Sequence, residues 1–246
     1  MKYYKCDKHK IEFAFLDNSS LSFERHNHIS IYAVGLLLKG SVVLNKENIA
    51  YQFTDDDLFI IPPYMVHSLV PTSEHYSIVT LCIGTEFLDT YDFKDGKALL
   101  SDLAGRLVCD GVLTHLQVEA FSDALELVYD MYSKPDYDYA EIISETKNFI
   151  EARPEDDITL DALSQKIFVS KYYLIREFKK TIGLSPHRFQ IQNRIRKAQH
   201  LLQNGSAVTE TALAMGFYDQ SHFIKYFKKI VGITPTEYID SLETLD

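Results

Sequence analysis

Up to about residue 84 the chain alternates short apolar runs with turn residues. Ile31–Leu38, Ser41–Leu44, Ile49–Phe53, Leu58–Ile61 and Tyr76–Ile83 are rich in β-branched and aromatic residues, and Lys39-Gly40, 45–48, Thr54–Asp57 and Pro62-Pro63 separate them. Regular short strands of this kind predict a barrel or a sandwich. Beyond Phe87 the period changes. Val118, Phe121, Leu125, Val128 and Tyr132 recur at gaps of three and four, which lines one face of a helix, and the sequence at 133–136 ends it. That stripe must either cover the barrel or pair with the same helix, 116–132, of a second copy, and its spacing does not decide between them. A further helix is predicted over 139–152, followed by a polar, proline-containing boundary at Arg153–Asp157.

The most informative pattern is an internal repeat at an offset of 49 residues. Phe178-Lys-Lys-Thr-Ile-Gly-Leu-Ser-Pro-His-Arg-Phe189 returns as Phe227-Lys-Lys-Ile-Val-Gly-Ile-Thr-Pro-Thr-Glu-Tyr238. Each copy ends a short helix, a tight turn and a second helix, at 160–166 and 171–182 and again at 208–215 and 220–231, the order of a helix-turn-helix. Gly216 suits the second turn, whereas the first has Phe168 there and is one residue shorter. Ser170 and Asp219 stand where N-caps belong.

Within the second helices, Leu174 and Phe178, like Phe223 and Phe227, form the stripe to be buried. Tyr172, Ile175, Arg176 and Lys179 fall on the opposite face, and Ser221, Ile224, Lys225 and Lys228 repeat that spacing. Cations, a hydrogen-bonding group and an aliphatic side chain on one face suit phosphates, base edges and a thymine methyl in a major groove. Between the copies a helix over about 185–203 puts Ile191, Ile195, Ala198 and Leu202 on one face and Arg188, Gln192, Arg196 and Gln199 on the other. It would fix the spacing of two readers whose natural targets are groove segments about 34 Å apart.

Charge supports this reading once it is split by position. The chain has 246 residues and a net charge of -10, but residues 158–246 hold 12 Lys+Arg against 8 Asp+Glu, so a basic module follows an acidic one. A hydrophobic fraction of 46% excludes global disorder. Cys6, Cys82 and Cys109 have no paired spacing, the N-terminus lacks a signal-peptide apolar run and no window is long enough for a membrane helix, which together predict a cytoplasmic protein without membrane partners.

Residues 158–239 resemble the DNA-binding domain of AraC/XylS-type transcriptional regulators, on Ala212–Phe217, Asp219–Phe223, Phe227-Lys-Lys229, Gly232 and Thr234-Pro235. The resemblance implies that Tyr172, Ile175 and Arg176 read bases in the first half, and Gln220, Ser221, Ile224 and Lys225 in the second. Lys171, Lys179 and Lys228 complete the expected DNA face, and Arg194 takes a structural or phosphate-binding role. Ser164 and Thr211 replace the family's usual Ala and Ile, and Ile239 a common terminal Arg. Duplex DNA, a small-molecule effector and RNA polymerase are the partners implied, and activation is the usual output.

His26-Asn-His28, Gly40 and Pro62–His67 resemble the two motifs of cupin barrels, in which an HxH pair, a glutamate and a later histidine hold a divalent metal. Here the glutamate position is Ala33. The barrel mouth therefore reads as an effector pocket with His26, His28, Tyr64 and His67 as polar handles, and no cofactor is required. The alternative is a metal-binding cupin, regulator or metalloenzyme, with zinc, nickel or iron on His26, His28 and His67. Asp55–Asp57 reads as a solvated turn. The expected architecture is α+β in two domains: a cupin-like β-barrel with accessory helices over 1–135, a helix and linker over 136–157, and an all-α double helix-turn-helix over 158–246. The expected function is effector-controlled transcription regulation rather than catalysis.

Overall fold

The computed structural model describes all residues except 7–8, 29, 47–48, 134–140, 168 and 245–246. The turn expected at 45–48, the helix stop at 133–136, the helix start at 139 and the Phe168 turn thus lie wholly or partly outside the described residues. The chain divides into two compact bodies: Met1–Ser22 with Asn27–Asp136 and Ser241–Asp246, and Phe23–His26 with Tyr137–Asp240.

The strands are β1 (Lys2–Cys6), β2 (Ile11–Ser19), β3 (Phe23–His26), β4 (Ile31–Lys39), β5 (Val42–Lys46), β6 (Ile49–Phe53), β7 (Leu58–Ile61), β8 (His67–Pro71), β9 (Tyr76–Gly84) and, after all the helices, β10 (Leu242–Thr244). One sheet runs β10-β1-β2-β9-β4-β7, parallel between β10 and β1 and antiparallel elsewhere. In the other, β5 lies antiparallel between β6 and β8. β4 and β9 are apolar at nearly every position because both their faces are covered. The Asp55–Asp57 turn is held by its own acids: the Gly40 amide donates to Asp55 Oδ1 at 2.6 Å and the Thr54 amide to Asp57 Oδ2 at 2.7 Å.

Three helices follow in the same body, α1 (Thr85–Thr90), α2 (Phe93–Cys109) and α3 (His115–Ser133). Leu100, Leu103, Ala104 and Leu107 of α2 join Val118, Phe121, Leu125 and Val128 of α3 in one core with Tyr4, Phe13, Val34 and Leu81 of the sheet. Phe121 meets Phe13 edge to face at 6.1 Å. Of the two roles the α3 stripe allowed, it covers the barrel.

The second body holds α4 (Glu141–Ala152), α5 (Leu160–Lys166), α6 (Lys171–Ile182), α7 (Pro186–Gln203), α8 (Val208–Ala214), α9 (Gln220–Val231) and α10 (Pro235–Asp240). The repeated sequence is a stop-and-restart device. Gly183 and Gly232 end α6 and α9 in the left-handed region, with φ of 79° and 94°. Two residues on, Ser185 and Thr234 each accept an amide of the next helix, whose first residue is a proline. Leu174, Phe178, Phe223 and Phe227 are fully buried, as their stripes require. One position departs from expectation: Gln192, placed by spacing on the polar face of α7, is buried, as are Gln190 and Asn193.

Candidate nucleic-acid interface and sensing site

The reader helices begin on side-chain caps. Ser170 Oγ accepts from the Tyr173 amide at 3.2 Å and Asp219 Oδ1 from the His222 amide at 2.7 Å, satisfying amides that a helix start leaves free. With the apolar stripes buried, the opposite faces turn outward. Lys171, Tyr172, Arg176 and Lys179 on α6 are exposed and Ile175 half-buried; on α9, Gln220, Ser221, Lys225 and Lys228 are exposed and Ile224 half-buried. Tyr172 is 78% exposed, a large aromatic that contributes nothing to its own core. Arg176 donates through Nε to Glu177 Oε1 at 2.9 Å, and Lys171 pairs with Asp161. Such exposed pairs are weak and leave the cations available to another anion.

Arg194 differs from the rest of the expected DNA set. From α7 it donates to the carbonyls of Pro154 (2.6 Å), Gly216 (2.6 Å), Asp156 (2.8 Å) and Glu155 (3.4 Å), tying the segment before α5 to the turn after α8. Gln190 reinforces that tie by donating to Pro154 and Asp156. Gly216 has a φ of 68°, and a β-carbon there would run into the Glu155 carbonyl, so two constraints meet at one residue. The resemblance implies a structural or phosphate-binding role for Arg194; its hydrogen bonds are those of a structural clamp.

At the barrel mouth, His28 and His67 lie with ring centroids 5.0 Å apart. His26 Nδ1 sits 2.7 Å from the Glu24 carbonyl and His67 Nδ1 2.9 Å from the Met65 carbonyl. Donation through Nδ1 leaves the Nε2 lone pair of each ring for a ligand. Desolvation holds the His26 pKa below the ordinary histidine value, favouring the neutral ring that such a role needs. Tyr64, in the left-handed region at φ 65°, places its amide 2.6 Å from the His28 carbonyl and its hydroxyl 3.2 Å from Ser30 Oγ. His28, Tyr64 and His67 thus sit together in the strand body, with Ala33 buried and contributing no carboxylate.

Known proteins match both parts. The AraC-like ligand binding domain family covers residues 9–94, and a helix-turn-helix domain family covers 163–241. The HTH-type transcriptional regulator MtrA of Neisseria gonorrhoeae is 37% identical over 87 residues, 35% of this chain and 29% of that protein. The match therefore spans less than a third of that relative. The HTH-type transcriptional regulator YbfI of Bacillus subtilis strain 168 is 25% identical over 226 residues, 81% of each chain. Among solved structures, ToxT of Vibrio cholerae shares the fold over 98% of this chain and 99% of its own, with a TM-score of 0.62 at 12% identity. The chain thus carries one region similar to AraC-like ligand binding domains and another similar to helix-turn-helix domains. Both matches, and the names of these relatives, agree with the resemblance to AraC/XylS-type regulators. Among the described residues no helix is long and apolar enough to cross a membrane.

Proposed function

We propose that the protein binds duplex DNA through α6 and α9, placed in neighbouring major-groove segments, and regulates transcription in response to a small molecule at the barrel mouth. The observation that carries this reading is the duplicated reader: two helices with identical stop signals, each capped by a side chain and each turning cations, polar groups and one aliphatic residue outward. Another ToxT structure of Vibrio cholerae holds an unsaturated fatty acid, which supports small-molecule control here. Activation through contact with RNA polymerase is the proposed output. The α3 face left for a second copy carries Leu116, Leu127 and Met131, exposed beside the buried stripe, and we place homodimerisation there.

The test is selection from random duplexes at near-physiological salt, followed by binding to the recovered site. A motif in two blocks about one helical turn apart is expected. Arg176→Ala and Lys225→Ala are each expected to weaken specific binding by about 1–3 kcal/mol. Unchanged affinity in both variants, with folding intact, overturns the assignment of these faces.

A second reading, metal-responsive regulation, takes its support from His28 and His67, whose rings lie 5.0 Å apart in the strand body. Imidazoles anchored through Nδ1, as His67 is, suit zinc, nickel or iron, with water completing the shell. Stoichiometric metal retained after reconstitution, lost in His67→Ala and altering operator affinity, is the expected signature; operator affinity indifferent to metal sinks it.

A further inference from the structure

β6 is the outer strand of its sheet and pairs, among the described residues, with β5 alone. Edge strands are usually blunted by a charge, a proline or a bulge, because their free backbone groups attract other strands. β6 has none of these. It reads Ile49-Ala-Tyr-Gln-Phe53 and keeps an unbroken register with β5. Ile49 is 55% and Tyr51 41% exposed, and Ala50 and Gln52 are exposed beside them. In a chain with a net charge of -10, this uncharged stretch is a place where two copies approach without like charges meeting.

The ladder fixes which backbone groups the edge offers. The Thr72 amide donates to the Ser41 carbonyl at 2.9 Å, so residues 41, 43 and 45 turn their backbone groups toward β8. Val42, Leu44 and Lys46 therefore bond to Phe53, Tyr51 and Ile49 opposite them. Pro71 agrees with this phase, since it stands opposite Val42, where β5 asks no donor of it. What β6 turns outward is the N–H and C=O of Ala50 and of Gln52, placed symmetrically about Tyr51.

That symmetry names the occupant. A second β6 laid antiparallel about a two-fold axis at Tyr51 sets Ala50 opposite Gln52 of the second copy and Gln52 opposite its Ala50. Each of these pairs exchanges two N–H···O=C bonds, so all four outward groups of each strand are satisfied. On the face shared with Val42 and Leu44, Ile49 meets Phe53 of the second copy and Tyr51 meets its counterpart. That ladder of aromatic and aliphatic pairs covers the apolar surface the edge leaves exposed. A strand of unrelated sequence would satisfy the backbone without this side-chain match.

We propose that β6 pairs antiparallel with β6 of a second copy, in register about Tyr51. The contact is separate from the one placed on α3, so copies joined there can join again through β6. A pair of five-residue strands falls below the roughly 1,200 Å² that a lasting complex buries, so it acts where copies are already concentrated.

The experiment is disulfide trapping on the full chain without DNA, in a Cys109→Ser background because Cys109 is exposed. Tyr51→Cys sets two thiols opposite each other at a non-hydrogen-bonded pair, where Cα atoms lie about 4.5 Å apart, within disulfide reach. Ala50→Cys is also at an exposed position but faces Gln52 of the second copy, and it measures random collision. In a glutathione redox buffer, Tyr51→Cys is expected to form covalent dimer at least about tenfold faster than Ala50→Cys. Adding Gln52→Pro removes an outward donor and leaves the bonds to β5 intact, and should erase that excess. Equal rates at positions 50 and 51, or an excess at 51 that survives Gln52→Pro with circular dichroism unchanged, overturns the pairing. If the proline variant does not fold, the comparison of positions 50 and 51 decides alone.

Discussion

Two side chains in the helical body make opposite predictions about stability. Arg194 gives its guanidinium to four backbone carbonyls, so Arg194→Ala leaves several half-buried acceptors unpaired. A loss of at least about 2 kcal/mol is expected in urea denaturation, hydrogen bonds from a charged donor being among the stronger ones. Arg194→Lys keeps the charge but lacks the planar fork, and should recover only part of the loss. If the alanine variant were as stable as the parent and defective only on DNA, the phosphate role would be restored. Thr211, at the family's usual Ile, is fully buried on α8, and its hydroxyl has no partner among the described residues. Thr211→Val keeps the shape and removes the orphaned hydroxyl, and should raise stability by about 1 kcal/mol. A destabilised valine variant would mean that the hydroxyl is satisfied after all.

Among the elements, legibility in the sequence followed the strength of local signals. The ranges 160–166, 171–182 and 220–231 agree with α5, α6 and α9 because cap, stripe and glycine stop all fall within a dozen residues. β6 and β7 were equally plain between turn residues. β3 was not, because Phe-Glu-Arg-His shows no alternation and the contacts of Glu24 and Arg25 with Lys229 and Arg188 reach far along the chain. The same distance hid the ion pair between Glu24 and Lys229, and Gln192 reads by spacing as solvated although packing buries it. His26, His28 and His67 were singled out through the resemblance to the cupin motifs and not by local spacing, since His67 follows far along the chain. β9 also carries a pH dependence. Tyr76 is 1% exposed and donates to the Leu21 carbonyl at 2.9 Å, and desolvation pushes its pKa up to about 12. The unfolded chain ionises this group near pH 10, so it binds fewer protons than the folded chain above that point. Stability should therefore fall between pH 10 and about 12, and more shallowly in Tyr76→Phe. Equal slopes in urea midpoints against pH would refute it.

For the molecule as a whole, the order of the chain and the order of its bodies differ. Phe23–His26 groups with the helices although it lies among the strands, and Ser241–Asp246 groups with the strands although it follows the last helix. Leu242 pairs with Tyr3 in parallel register, and Lys2 meets Glu243 at 3.3 Å. The chain thus passes between its bodies four times. A protease site introduced after Asp136 and cut under native conditions should yield two fragments that co-elute, each holding a segment that belongs to the other's body, and that part only in denaturant. Separation without denaturant would show these segments to be dispensable. Reciprocal exchange of this sort makes the protein resistant to dissection: a DNA reader excised at residue 158 would carry away an edge strand and leave behind α4 and β3, so its behaviour in isolation would report a different molecule.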